Sequence, residues 1–404
     1  MSTSLLYHAF GIRGYIYVST EYYQKADVVF NIRQDPETLR CPQCGSRDVS
    51  CRGQFLRTFH TVPIGLHSVV VTLPVQRVEC RVCGVIRQVE IAFADSRRSY
   101  TKAFERYVLD LLHHATIQDV ARHLGVSWDV IKDIQKRYLK KRFALPKLKG
   151  IRQLAIDEIY VGRKRFLTIV MDLVSGAVVF VGEGKGGEAL QPFWRRLKRN
   201  QVQIEAVAID LSPAYRKAVR RHLRKALIVH DHFHIIKLVN EKLARLRCRL
   251  YNETRSQKQK AVLKGTRWLL LKHPEHLDSS HDEQQRLAEA LELNKPLATA
   301  YYLKDELRLW WGQPNKAAAT VLLEDWILRA QASEVREFRQ LARTFNKCKA
   351  GILVYYDYPI STGPLEATNN KIKTMQRQAF GYRDQEFFRL KICSLHETKY
   401  ALVG

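Results

Sequence analysis

Leu154-Ala-Ile-Asp157, Phe166-Leu-Thr-Ile-Val-Met-Asp172 and Ala177-Val-Val-Phe-Val181 are three short apolar runs parted by turn residues. Runs of this length, rich in β-branched side chains, read as buried strands. A helical stretch follows, in which Leu190, Phe193, Trp194 and Leu197 recur on one face. Then come a strand over Ile204–Asp210, a helix opened by Ser212-Pro213 and a strand over Ala226–His230. Three strands, helix, strand, helix, strand predicts one mixed sheet with helices packed on it.

That is the element order of an RNase H-like domain, and it gives two carboxylates a meaning. Asp157 ends the first apolar run and Asp210 the fourth. A lone aspartate at a strand end is ordinarily a cap or a turn residue. In this topology, however, strands one and four are neighbours, so both side chains would enter one crevice. The third carboxylate is expected in Ser361-Thr-Gly-Pro-Leu-Glu-Ala-Thr-Asn-Asn-Lys-Ile-Lys-Thr-Met-Gln-Arg377. Ser361 or Thr362 can cap a helix there, and Pro364 suits its first turn. Glu366, Asn369, Asn370, Lys373 and Arg377 then share one face at helical spacing. The plain alternative is an exposed polar face. An acid, two amides and two bases together suit metal binding by Glu366, with phosphate contacts from the rest. Asp157, Asp210 and Glu366 would hold two Mg²⁺ (or Mn²⁺) ions about 3.5–4 Å apart, since oxygen ligands favour hard cations. Asp231 also follows an apolar strand, but that strand lies one place further out. Asp231 and His234 are therefore expected to fix the next helix or to support the ligands. Glu158 points to the opposite face of its strand.

Charge extends the argument to the rest of the chain. The 67 Lys and Arg against 40 Asp and Glu leave a formal +27, an excess that steers a chain onto a polyanion. No apolar run reaches the ~18 residues that cross a bilayer. The start, Met1-Ser-Thr-Ser-Leu-Leu-Tyr-His, lacks a basic segment followed by an apolar core. No signal peptide is therefore expected, and a cytoplasmic, nucleoid-associated location is.

Cys41-Pro-Gln-Cys44-Gly and Cys80-Arg-Val-Cys83-Gly are two knuckles separated by alternating strand sequence, Val69, Val71, Leu73 and Val75. Two such knuckles supply the four thiolates of one structural zinc site, closed to substrate. Cys51, Cys248, Cys348 and Cys393 have no partners at ligand spacing and are expected as small buried apolar residues. Thr116 to Arg137 reads as helix, glycine turn at Gly125, then a helix capped by Ser127. This is a helix-turn-helix whose second helix would enter a major groove. Trp128, Lys132, Lys136, Arg137, Lys140 and Lys141 are its expected DNA contacts, although Asp129 and Asp133 beside them weaken tight base reading.

The segment after His234 is almost wholly helical, and residues 241–275 hold ten Lys and Arg against three Asp and Glu. Arg245, Arg247, Arg249, Lys258 and Lys260 are expected to contact DNA there. Trp268 is expected in the core, with stacking on an unpaired base as the other reading. The chain thus divides into a strand-like segment of unassigned role (1–40), a zinc ribbon (41–93) and a helix-turn-helix domain (100–143). The first part of the catalytic domain (151–233), a helical insertion (234–350) and the last part of the catalytic domain (351–404) follow. The fold class is multidomain α/β.

The knuckles, the helix-turn-helix, Ala155-Ile-Asp157-Glu158, Ala208-Ile-Asp210-Leu-Ser-Pro-Ala-Tyr215, His230-Asp231-His-Phe-His234 and Leu365-Glu366-Ala-Thr-Asn-Asn370 together resemble the DDE transposases of bacterial insertion sequences. Within them the chain is most similar to the ISL3 family, over roughly residues 38–395. The resemblance implies Asp157, Asp210 and Glu366 as the catalytic triad. It also implies binding to the element's terminal inverted repeats and to target DNA. Action as a homodimer or a higher synaptic oligomer is expected. A domesticated transposase acting as a regulator, or a structure-specific nuclease of the same fold, are the alternatives.

Overall fold

A computed structural model describes residues 5–23 and 27–396. Residues 1–4 and 24–26 of the N-terminal segment and the last eight residues assigned to the catalytic domain (397–404) lie outside them. The described residues form two compact units, one up to Arg142 and one from Phe143 onward.

The first unit holds helix α1 (Leu5–Phe10) and strands β1 (Tyr15–Tyr23), β2 (Asp27–Gln34), β3 (Val49–Ile64), β4 (His67–Cys80) and β5 (Ile86–Gln88). They make one sheet ordered β1-β2-β4-β3, with β5 paired to β4. Alternation along β4 buries Val69, Val71, Leu73 and Val75, as their period of two requires. Residues 15–34 add two strands to the sheet that carries the cysteine knuckles, so residues 1–40 and 41–93 share one core of Phe30, Ile32, Phe59, Val71 and Phe93.

Helices α2 (Lys102–Leu111), α3 (Ile117–Leu124) and α4 (Trp128–Phe143) follow. The Thr116 hydroxyl accepts from the Asp119 amide at 3.2 Å, starting α3. Gly125, at φ 63°, ends it in the left-handed conformation that glycine adopts freely. Phe104, Val108, Val120, Leu124, Ile131 and Ile134 bury the inner faces of all three helices.

The second unit is built on strands β6 (Gln153–Gly162), β7 (Arg165–Asp172), β8 (Val178–Glu183), β9 (Ala206–Ile209) and β10 (Leu227–His230). The sheet order is β10-β9-β6-β7-β8. β6, β7 and β8 are antiparallel, and β9 and β10 run parallel to β6. The sheet is therefore mixed, as the apolar runs predict. β7 is buried continuously from Leu167 to Asp172, which explains why its sequence reads as an apolar run without alternation. Helices α5 (Gln191–Arg199) and α6 (Pro213–His222) cover one face. Their Phe193, Trp194, Leu197, Tyr215 and Val219 pack on Leu154, Ile156, Val207 and Ile209.

After β10 come α7 (His232–Glu253), α8 (Gln257–Gly265), α9 (Glu283–Glu292), α10 (Lys295–Leu309), α11 (Lys316–Ala332) and α12 (Arg336–Leu353), the last of which packs on β10. They share a core centred on Trp310, Trp326, Phe338 and Phe345. Both buried indoles satisfy their N–H groups, Trp310 on the Ala319 carbonyl and Trp326 on that of Leu303, each at 2.7 Å. Lys304 is wholly buried among these helices. Its ammonium donates to the Leu270 and Lys272 carbonyls at 2.8 and 3.3 Å, and burial pulls its pKa down to about 8. Helices α13 (Gly363–Gln378) and α14 (Gln385–Cys393) return to the sheet and pack on β6 and β8. No helix of the described residues is long and apolar enough to cross a membrane.

Candidate active site

Strand register sets the two aspartates level with each other. β6 and β9 pair from Gln153↔Ala206 to Ile156↔Ile209, so Asp157 and Asp210 are each the next residue beyond the last pair. Neighbouring strands lie about 4.8 Å apart. Asp157 does not end its strand, as its sequence suggests; β6 continues to Gly162 against β7. What ends at Ile156 is the pairing with β9, because β9 stops at Ile209. Asp231 follows β10, which lies outside β9 and one strand further from β6.

Each aspartate is held from its own backbone and, for Asp157, from across the site. Asp157 Oδ1 accepts from the Glu158 amide at 2.8 Å, and its Oδ2 accepts from Asn369 Nδ2 of α13 at 2.9 Å. Asp210 Oδ1 accepts from the Ser212 amide at 2.9 Å. Burial pushes both carboxyls above the usual carboxylate range, and for Asp210 the charges of Asp157 and Glu158 push the same way. Two partly desolvated carboxylates facing each other call for a positive charge. Glu158 lies on the opposite face of β6, where it accepts from the Tyr215 hydroxyl at 3.3 Å.

Glu366 sits in the first turn of α13, half-buried. The oxygens of Asp157, Asp210 and Glu366 do not all come within 4.8 Å of one another; among the described residues only the four cysteines do so. The donor chemistry nonetheless fits a hard divalent cation. Asn369 Oδ1 is buried beside Asp157 with no hydrogen-bond partner, an acceptor left over in a site of carboxylate oxygens. On α13, Leu365, Thr368, Asn369 and Ile372 are buried, whereas Asn370, Lys373 and Arg377 are exposed. The polar face read from the sequence thus splits, with Asn369 turned inward and the other three toward solvent.

A buried clamp fixes where α13 begins. Asp231 is 1% exposed. Its Oδ1 accepts from the Phe233 amide at 2.8 Å, and its Oδ2 accepts from the Thr362 amide at 2.7 Å and from the Thr362 hydroxyl. Burial opposes the Asp231 charge, but these bonds and His234 outweigh it and hold the carboxyl well below its ordinary value. His234 is shifted upward, first by Asp231 and also by the charges of Asp157 and Asp210. Thr362, offered by the sequence only as a cap, makes no side-chain cap bond to α13. Its hydroxyl is spent on Asp231 instead, a pairing that no local pattern announces.

The other expected site residues fall into two groups. Lys140, Lys141, Arg245 and Lys258 are exposed, Lys260 is half-buried, and the Lys132 ammonium lies 5.2 Å from the exposed Trp128 ring. Lys136 is half-buried on α4. Arg137 turns inward to Glu105 at 2.7 Å, Arg249 pairs with Glu337 at 2.9 Å, and Arg247 donates to the Leu263 carbonyl at 2.9 Å. Trp268, expected in the core, is 65% exposed with Arg267 over its ring.

The knuckle cysteines converge, with Cys41 and Cys83 sulfurs 3.6 Å apart and those of Cys44 and Cys80 3.5 Å apart. A tetrahedron with bonds of about 2.3 Å has edges of ~3.8 Å, so this spacing is that of metal ligands and not of a disulfide. The Cys44 and Gln43 amides lower the Cys41 thiol to about 6. Cys44, despite the Ser46 amide, is pushed up to about 12 by Cys80 and by burial, and Cys83 is raised too. The case for a metal therefore rests on the convergence of the four sulfurs. Cys348 and Cys393 are buried as expected, but Cys51 and Cys248 are exposed.

The ISL3 DDE transposase model, described as "Transposase", matches residues 154–392. The model described as "Helix-turn-helix domain of transposase family ISL3" matches residues 89–139. The "Transposase for insertion sequence element IS1001" of Bordetella parapertussis is 32% identical over 365 residues, covering 89% of each chain. The "Transposase for insertion sequence element IS1557" of Mycobacterium tuberculosis is 27% identical over 411 residues, covering 94% of this chain and 91% of the relative. A chain of the "Drosophila P element transposase strand transfer complex" is 12% identical, with 75% of this chain and 93% of that chain covered; at a TM-score of 0.38 it adds nothing to the assignment. With one transposase model over more than half of its length and a relative at 32% identity across most of both sequences, the chain belongs to the ISL3 family of DDE transposases.

Proposed function

We propose that this transposase binds the terminal inverted repeats of an insertion sequence and catalyses DNA strand cleavage and strand transfer on an RNase H-like core. Asp157, Asp210 and Glu366 form its catalytic triad. The observation that carries this reading is the register of β6 and β9, which sets Asp157 and Asp210 level on adjacent strands. The Asn369 bond to Asp157 then brings the Glu366 helix to the same spot.

Asp157, Asp210 and Glu366 would hold two Mg²⁺ or Mn²⁺ ions, which when bound supply Lewis acidity for the attacking and leaving oxygens of an in-line displacement. Asn369 orients the Asp157 carboxylate. Asp231, through Thr362 and with His234, holds the start of α13 so that Glu366 faces the strands. Asn370, Lys373 and Arg377 on the exposed side of α13 contact phosphates. Helix α4 enters a major groove with Trp128, Lys132, Lys136, Lys140 and Lys141 on hand, while one structural zinc on Cys41, Cys44, Cys80 and Cys83 stiffens the N-terminal sheet. Arg245, Lys258 and Lys260 extend the contact along the insertion. Arg137, Arg247 and Arg249, each engaged within the protein, support these elements more than they touch DNA. The active species is a homodimer or a larger synaptic assembly.

The test is strand cleavage and transfer on a duplex carrying the element's ends, alongside binding to the same duplex. Asp157→Asn, Asp210→Asn and Glu366→Gln each abolish both reactions and keep end binding, whereas Asp231→Asn retains some activity. Cleavage that survives Asp210→Asn but vanishes in Asp231→Asn overturns the assignment.

A further inference from the structure

Phe380 stands where a helix ordinarily turns off on glycine. At the end of α13 the Phe380 amide donates to the Arg377 carbonyl at 3.0 Å and the Gly381 amide to that of Gln376 at 2.9 Å. This is the paired-bond ending in which the residue after the cap adopts the left-handed conformation and is usually glycine. Phe380 takes that conformation, at φ 50°, and its side chain is 100% exposed. A bulky residue is disfavoured there by its Cβ, and an apolar ring is disfavoured in water. No contact among the described residues offsets either cost. Sterically unfavourable backbone retained without a packing reason points to a use outside the fold.

The loop that carries the ring is firmly held. Tyr382 stacks on Phe388 at 4.6 Å, and Gln385 Nε2 donates to the Tyr382 carbonyl at 2.7 Å. Two further bonds tie the end of α13 and the start of α14 to the β6–β7 hairpin: Gln376 Nε2 donates to the Val161 carbonyl and Arg165 to Gln385 Oε1, each at 2.7 Å. The hairpin tip is Arg163-Lys164, both exposed at positive φ. Phe380 therefore projects from an edge carrying Arg163, Lys164, Arg165, Lys373, Arg377 and Arg383, all exposed. An aromatic ring set among cations suits a nucleic-acid strand, in which phosphates meet the charges and a base meets the ring.

We propose that Phe380 is a wedge that stacks on an unpaired base of DNA lying along this edge. Phe380 lies eleven positions beyond Asn369, nine of them in α13, about 16 Å along the axis, or roughly five base pairs of duplex. The spacing rests on Asp157 and Asp210 marking the point of cleavage; the stacking itself does not.

The experiment uses the full chain without divalent metal and two duplexes of one sequence, one fully paired and one with a single unpaired 2-aminopurine. Wild type favours the unpaired duplex about tenfold and changes the fluorescence of the probe base. Phe380→Ala and Phe380→Gly bring that ratio close to one, and Phe380→Trp keeps it. Phe380→Gly melts no lower than wild type, since glycine suits the backbone there, so its loss of preference is not unfolding. A wild-type ratio near one, a preference that persists in Phe380→Ala, or one abolished by Trp268→Ala alone overturns the proposal. Because no chemistry is read, a failure here leaves the triad standing, and a failure of the triad variants leaves this result intact.

Discussion

Replacing Thr362 by valine removes one hydroxyl and keeps the side chain's shape, so it opens no cavity. It deletes one of the bonds that hold Asp231 ionised while 1% exposed. A hydrogen bond to a charged group contributes about 1.5–3 kcal/mol, and the Thr362 and Phe233 amides remain as partners, so a loss of about 2 kcal/mol is expected. For a unit of this size that lowers the melting temperature by roughly 4–8 °C. The sign with pH follows from the depressed carboxyl of Asp231. Its stabilisation is complete above the unfolded carboxylate pKa of about 3.9 and is lost as pH falls below it. The gap between wild type and Thr362→Val is therefore full at neutral pH and closes in acid. Because the same bond fixes the start of α13, strand cleavage falls by about 10²-fold as Glu366 loses its placement. Thermal melts at several pH values, read beside the cleavage rate, make the test. A variant that melts within a degree of wild type at pH 7, or a deficit that does not change with pH, refutes the clamp.

Cys80→Ser releases the single bound zinc and loosens residues 41–93 before the second unit; elemental analysis and hydrogen exchange read both, and a metal-free wild type refutes the site. The affinity for Mg²⁺ or Mn²⁺, measured by calorimetry, weakens as pH falls through a range above that of ordinary carboxylates. Burial raises Asp157 and Asp210, and protons compete for them there; constant affinity from pH 7 to 4.5 contradicts this. Gly351→Ala, whose added Cβ would meet His230 Cδ2 at 2.7 Å and the Ile228 carbonyl at 3.2 Å, costs about 1–3 kcal/mol by overpacking. A denaturation midpoint at or above that of wild type shows instead that α12 can move off β10.

The sheet was legible because its evidence is local. β6 to β10 announce themselves as apolar runs, and α5 shows Phe193, Trp194 and Leu197 on one face. The cysteine knuckles and the Gly125 turn carry their geometry in a few adjacent residues. What was not legible depends on contacts over long stretches of chain. That Asp157 stands mid-strand follows from its pairing with Ile169 of β7, and that it lies level with Asp210 follows from where β9 stops, 53 residues beyond Ile156. The Thr362–Asp231 bond spans 131 residues and the Asn369–Asp157 bond 212. Periodicity assigns polar residues to water and apolar ones to the core, so it is silent about every residue that breaks the rule. α13 breaks it twice: Asn369, in its second turn, is buried with an unpartnered oxygen, and just beyond the last turn Phe380 is bare to solvent. Arg137 and Arg249 break it too, but ion pairs with Glu105 and Glu337 answer their charge within the fold. Nothing in the described residues answers Asn369 Oδ1 or the Phe380 ring. Departures from the folding rules that the fold itself leaves uncompensated are where a ligand has to enter the account. On this helix the two proposed ligands differ, a cation at the first departure and a base at the second.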